Sequence, residues 1–321
     1  MAESRSVVLA ALVANGAIAV LKFVGFLLTA SPSMLSETYH SISDTGNQVF
    51  LLIGIRYGKR EADRQHPFGY GKAQFFYSFV VSVLLFGIAG WESAKHGYTK
   101  LIGGGHGGGA HGSIEFLGFV YEPSFGFDPV LVNYAVLLAA IAFEGYAFRK
   151  AYAEMSRQMD ENDWSTLREA FRKTSDVTTL TALTEDTIAL GGLVLALAGI
   201  FLTQQTGIEA FDSAAALLIG VMLMVFAVAL AWENKRLILG ESLPEEDEST
   251  LREIVADWEG VDRIVDFRTV YFGPERVVVA ADVAFDPEIR GGDLDERITA
   301  IEDALRDAHD GVHKVYIEPE V

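Results

Sequence analysis

The chain has 321 residues, half of them hydrophobic, and no cysteine, which excludes a disulfide-stapled scaffold and any thiolate metal site. A formal charge of −19, with 22 of the 44 acidic side chains set against 8 Lys and Arg in residues 245–321, excludes the electrostatic footprint of a nucleic-acid binder. The apolar residues are gathered into runs close to the 20 or so needed to cross a bilayer, so the sequence reads as an integral membrane protein. With only 9 Lys, the acid excess also points to a salt-loving source.

The opening Met-Ala-Glu-Ser-Arg-Ser carries no small-residue cleavage pattern and leads into a first span retained in the protein, about Val7 to Ala30. Lys22 interrupts that span and must either snorkel to the surface or pair with an acid. A Ser-Pro-Ser turn at 31–33 precedes a second span, Met34 to Tyr57, and a basic, Gly-rich loop follows to Lys72. The third span is expected from Ala73 to Trp91. Residues 95–127 form a connector whose stretch Gly103 to Gly112 is too rich in glycine to pack, and its His106 and His111 read as incidental. The fourth span is expected from Pro129 to Phe148, followed by a charged amphipathic stretch at 149–173. The fifth span runs from Val177 to Leu202 and the sixth from Ala214 to Trp232. With both termini in the cytoplasm, the inner connections hold nearly all the Lys and Arg, and the outer ones only Lys95 and Lys100. A multi-pass protein of the plasma membrane with six spans is the expected topology.

From Leu243-Pro244 the pattern turns soluble: a helix at Glu248–Trp258, strands at Arg263–Tyr271 and Arg276–Phe285, a helix at Leu294–Ala308 and a strand at Lys314–Ile317. The fold class is therefore an α-helical membrane protein of six transmembrane helices with a C-terminal α+β domain of order αββαβ. Residues 1–240 are expected to form the membrane domain and 241–321 the cytoplasmic one.

The second span begins with ionisable residues that are costly in hydrocarbon and so call for a reason. His40 and Asp44 lie four apart, on one helical face, where an imidazole and a carboxylate can share a divalent cation. Asp44 lies ten residues past Met34 and Asp186 nine past Val177, placing them roughly 15 and 14 Å into their helices, near the middle of a core about 30 Å thick. Glu185 and Asp186 are adjacent and point about 100° apart, so one of them aims at the second span while the longer Glu side chain can still reach.

The stretch Ser36-Glu-Thr-Tyr-His-Ser-Ile-Ser-Asp-Thr-Gly-Asn47, followed by Asp63-Arg-Gln-His-Pro-Phe-Gly-Tyr-Gly-Lys-Ala73, resembles the cation diffusion facilitators, metal-cation/proton antiporters. Leu183-Thr-Glu-Asp-Thr187 and the long connection before it look most like the zinc transporter 9 branch. In zinc-transporting members the second and fifth spans each supply an acid or His, three intervening residues, then Asp. His40, Asp44 and Asp186 match those positions, whereas Ala182 stands at the fourth and leaves Glu185 as its substitute. A second family site in the loop after the second span matches Asp63 and His66 but has Tyr70 in place of a His, so it is expected to be weakened. The resemblance further implies a metallochaperone-like tail that pairs in a homodimer. Asp282, Glu318 and Glu320 stand where tail ligands would be sought, and they also suit a solvated face. It also implies a charge interlock from Lys72, for which Glu241 is the nearest acid.

The function implied is export of a divalent metal, Zn²⁺ first, in exchange for protons, within membrane lipid, with no catalytic residue, bound cofactor or nucleic-acid partner. One imidazole among carboxylates suits Zn²⁺, Co²⁺ or Fe²⁺, whereas Mn²⁺ or Mg²⁺ is better served by oxygen alone. The alternatives are a non-transporting metal-binding or sensing protein of the same fold, a facilitator selective for Fe²⁺, Co²⁺ or Mn²⁺, an organic-cation carrier, and an intramembrane metalloenzyme. The last lacks a His-Glu-x-x-His pattern.

Overall fold

The computed structural model describes residues 2–102, 114–116, 119–121, 130–161, 164–167, 169–170, 177–274 and 276–320, with side chains from Leu12 onward except at Ala14, 114–121 and 177–182. The Gly-rich stretch with His106 and His111, and most of the connection at 162–176, lie outside the described residues.

Among the described residues six long helices account for the apolar runs: α1 Ala2–Thr29, α2 Pro32–Gly58, α3 Ala73–Ile102, α4 Val130–Glu161, α5 Val177–Thr206 and α6 Ala210–Leu239. Among the described residues α3, α4, α6 and the Leu183–Thr206 part of α5 are each long and apolar enough to cross a membrane. The apolar part of α1 described, Asn15–Thr29, is shorter, and α2 is lowered in hydropathy by its polar first half. Most helices overrun the spans read from sequence. α3 continues past Trp91 through a π-helical turn at Leu85–Trp91 to Ile102, and α4 carries the amphipathic stretch on to Glu161. Helical hydrogen bonding does not stop where the hydrocarbon does, so apolarity marks the span but not the helix end. A short antiparallel pair, β1 Ile114–Phe116 and β2 Phe119–Tyr121, occupies part of the connector and was not legible in its composition.

The chain forms two compact units: residues 1–48 with 81–229, and residues 49–80 with 230–321. The second unit includes the C-terminal part of α2, the 59–72 loop and the start of α3 as well as the chain from residue 230 on.

In the first unit, the turn between α1 and α2 is made by Ala30, whose φ of 56° ends α1, and by Pro32, which opens α2. The buried core is apolar and drawn from all six helices, with Phe26, Met34, Leu85, Leu137, Leu193, Ile219 and Leu223 among its members. With no aqueous penalty to drive helices together in lipid, close backbone approach matters more. Here α3 and α6 touch through glycines: a Cβ on Gly97 would lie 2.5 Å from the Leu217 nitrogen, and one on Gly220 would collide with the Ala94 backbone. Large apolar side chains such as Leu131, Leu138, Val225 and Val228 remain exposed, as a lipid-facing surface requires.

In the second unit, α7 Glu245–Ala256, β3 Val261–Gly273, β4 Arg276–Phe285, α8 Gly291–Ala308 and β5 Val312–Glu320 follow the expected αββαβ order. The sheet order is β3-β4-β5, with β3 antiparallel and β5 parallel to β4. Leu251, Val255, Ile301 and Leu305 of the two helices pack with Val279, Val283 and Val315 of the sheet. That gives a two-layer sandwich with one apolar interior.

Candidate metal-transport site

The polar half of α2 survives in an apolar setting because its short hydroxyls bond back to their own helix. Ser36 donates to the Pro32 carbonyl, Thr38 to Met34 and Thr45 to Ser41, while Thr187 does the same to Leu183 in α5. The ionisable groups have no such local outlet and look across to other helices.

Lys22 of α1 and Glu37 of α2 form a buried ion pair at 2.8 Å, with side-chain exposures of 1% and 0%. Of the two options open for Lys22 in the sequence, pairing is the one realised. The other oxygen of Glu37 has no hydrogen-bond partner among the described residues. It is aimed at α5, where a Cβ on Gly192 would come within 2.5 Å of it. One turn further along α2, the His40 Nε2 lies 3.5 Å from the Asp44 carboxylate, and His40 is 2% exposed. The contact is too poorly aligned for a hydrogen bond, and both ring nitrogens of His40 are unpartnered among the described residues.

Glu185 and Asp186 stand on α5, half-buried. Glu185 lies within electrostatic reach of both Asp44 and His40. Asp186 is within reach of Asp44 and of Glu185. Ionisable groups of the second and fifth spans thus lie within electrostatic reach of one another. Among the described residues no three His, Asp or Glu side chains are drawn together closely enough to hold one ion. The spacing explains why: adjacent residues on α5 diverge by about 100°, so Glu185 and Asp186 do not both aim at one point on α2.

Sequence reasoning missed Glu144. This α4 side chain interacts electrostatically with Lys22, His40, Asp186 and Glu37. The signal was present, since Glu144 is ionisable, lies 14 residues past Val130 and so roughly 21 Å along an apolar helix, and obeys the same rule that singled out Asp44.

The other candidates fall in the second unit. Asp63 is occupied by protein donors: one oxygen receives the Gln65 and His66 backbone N–H groups, and the other receives the Tyr70 hydroxyl at 2.6 Å. The Tyr70 bond, helped by the His66 amide, holds the Asp63 carboxyl below the usual range and pushes the Tyr70 phenol up. His66 Nδ1 lies 3.6 Å from Asp63, so any ion there would have to displace the tyrosine. Lys72 does not reach Glu241; it donates to the Ile238 carbonyl at 3.3 Å and rests 4.8 Å from the Phe272 ring, while Glu241 pairs with Arg236. Asp282 stands opposite Glu318 in the β4–β5 ladder, and Glu320 opposite Ala284, with Glu318 and Glu320 exposed. That is a solvated acidic row, not a cluster capable of holding metal.

Residues 8–239 match the cation efflux transmembrane domain, and residues 243–320 the cytoplasmic domain of cation efflux proteins. The chain belongs to the cation efflux, or cation diffusion facilitator, family. Members of this family are membrane transporters of cations, not enzymes. The chain is 28% identical over 283 residues to the proton-coupled zinc antiporter SLC30A9, mitochondrial, of Mus musculus, covering 88% of this chain and 46% of the relative. It is 25% identical over 287 residues to metal tolerance protein C4 of Arabidopsis thaliana, covering 89% and 58%. It is 24% identical over 274 residues to the cation-efflux pump FieF of Serratia proteamaculans (strain 568), covering 85% and 79%. The chain spans about half the length of the first of these cation efflux relatives.

Proposed function

We propose that the chain is a homodimeric secondary antiporter that exports a divalent metal, Zn²⁺ first, in exchange for protons. The observation that carries the reading is His40: an imidazole 2% exposed, with neither nitrogen hydrogen-bonded among the described residues, set beside Asp44 and within reach of Glu185. A buried polar group left without a partner is costly, and in a cation-efflux fold the missing partner is the cargo. His40, Asp44, Glu185 and Asp186 are the ligands proposed, with Asp63 and His66 a weaker site. Zinc is favoured because the ligands proposed are one imidazole and carboxylates, and because one relative carries zinc and proton coupling in its name.

Exchange follows from competition. A metal ion requires His40 neutral and its acids ionised, so loading releases protons and reprotonation from the far side releases the ion. We place residues 1–240 in the membrane and 241–321 in the cytoplasm with both termini, pairing the protomers through the tail, and assign the protein to the plasma membrane. The acidic tail supports the absence of a nucleic-acid partner.

In sealed proteoliposomes carrying an internal pH dye, a zinc gradient should drive proton flux in the wild type and none with His40→Ala or Asp44→Ala. Unchanged flux in both variants removes this site from the mechanism. A second reading, a metal-binding or sensing protein that does not transport, is favoured by the absence of a three-ligand group among the described residues. It predicts zinc binding without flux in the same vesicles.

A further inference from the structure

In a chain with a net charge of −19, one place on the second unit runs against the trend. A cavity of about 380 Å³ opens between the loop after α2 and the ends of β3, β4 and β5, and among the described residues four cations, Lys59, Arg60, Arg276 and Lys314, line it against one acid, Glu61. Elsewhere in this unit four arginines are paired with acids. Arg236 pairs with Glu233 and Glu241, Arg268 with Asp266, Arg297 with Glu259, and Arg306 with Glu302 and Asp303. Among the described residues none of the four cavity cations has an ion-pair partner. Arg60 is instead held over the Tyr57 ring at 4.2 Å, and Lys314 lies 5.2 Å from the Tyr316 ring.

The walls are fixed by packing. The loop approaches β3 backbone to backbone, since a Cβ on Gly71 would collide with the Phe272 carbonyl and lie 3.0 Å from the Gly273 Cα. Phe68 stacks on Phe272 with ring centroids 4.7 Å apart, and the Arg276 guanidinium packs beside Gly69, whose φ of 80° only glycine adopts readily. Four like charges converging on one cavity repel one another, and what relieves the repulsion is an anion. Two guanidinium forks and two ammonium groups match the several oxygens of a phosphate, each oxygen able to accept from a different donor. Lys59 and Arg60 directly follow the last turn of α2, and clustered Lys and Arg beside a membrane helix are the pattern that recognises anionic headgroups.

We propose that this cavity binds a phosphate-bearing anion, supplied either by a phospholipid headgroup or by free phosphate. The full chain, purified in detergent in zinc-free buffer, is titrated separately with inorganic phosphate, short-chain phosphatidylglycerol and short-chain phosphatidylcholine, with binding read by phosphorus NMR and native mass spectrometry. Arg276→Gln/Lys314→Gln should weaken anion binding at least tenfold. Arg252→Gln/Arg290→Gln, which removes the same two charges away from the cavity, should leave it within twofold. Phosphatidylglycerol binding in preference to phosphatidylcholine supports the proposal with a lipid as source, and phosphate binding alone supports it with a soluble source. If neither anion distinguishes the cavity variant from the wild type, or if the distant variant loses as much, the proposal is overturned. Retained binding in Arg276→Lys/Lys314→Arg separates lost charge from lost fold.

Discussion

Replacing Lys22 with Met would leave the Glu37 carboxylate buried without its cation. At 2.8 Å and an effective dielectric of about 20, the gross attraction between the two groups is about 6 kcal/mol, and solvent screens little of it because neither side chain is more than 1% exposed. Desolvation offsets part of that attraction while the pair is intact, but removing one member leaves the other's desolvation uncompensated. Breaking a buried pair in this way typically costs about 3–5 kcal/mol. That is a loss of roughly 150- to 5000-fold in the folded-to-unfolded ratio. Lys22→Met/Glu37→Gln, which removes both charges, should recover more than half of it. Some deficit will remain, because Glu144 and His40 also feel the Lys22 charge. The assay is thermal unfolding of the detergent-solubilised chain, followed by tryptophan fluorescence across wild type, both single variants and the double. If Lys22→Met matches the double variant within about 0.5 kcal/mol, a typical limit of additivity between independent sites, the buried pair is not coupled as argued.

Glu144→Gln should weaken zinc transport by roughly tenfold, about 1.4 kcal/mol, as expected of a charge that acts at a distance on the α2–α5 acids. Asp44→Asn should abolish transport in the same uptake assay, and equal loss in both would make Glu144 a ligand. Gly220→Leu should prevent the close approach of α3 and α6 and cost about 1–3 kcal/mol or more, read as a lower thermal midpoint. A wild-type midpoint would mean that the two helices do not need that contact. Tyr70→Phe should raise the Asp63 titration toward the ordinary range, followed by carbon NMR of labelled Asp carboxyls. Because that carboxyl is held low in the fold, its contribution to stability is present above about pH 4, the unfolded value, and fades as pH falls through the lowered one. An Asp63 midpoint that does not move on losing the hydroxyl would refute the assigned cause.

The membrane helices and the αββαβ tail were legible because each rests on a local repeat: apolar runs of bilayer length, and periods of 3.6 and 2 in the tail. The same locality explains the errors. Helix ends beyond Trp91 and Phe148 were missed because hydropathy changes there while backbone hydrogen bonding continues. The Lys72–Glu241 pairing failed because an acid nearest in sequence was already taken by Arg236, a competition that no spacing rule records.

By itself, the sequence determined that ionisable residues interrupt the apolar second and fifth helices, and the fixed rise of a helix per residue led to the expectation that they share a depth, since hydrocarbon tolerates few such groups without cause. It could not say which of them touch. That Lys22 pairs with Glu37, that Glu144 joins from α4 and that His40 has no hydrogen-bond partner among the described residues were decided by how helices far apart in the chain pack side by side. Rotation of each helix about its axis sets which side chains meet, and that rotation is fixed by contacts such as Gly97 and Gly220 in the α3–α6 seam and Gly192 facing Glu37, which exist only once the bundle has formed.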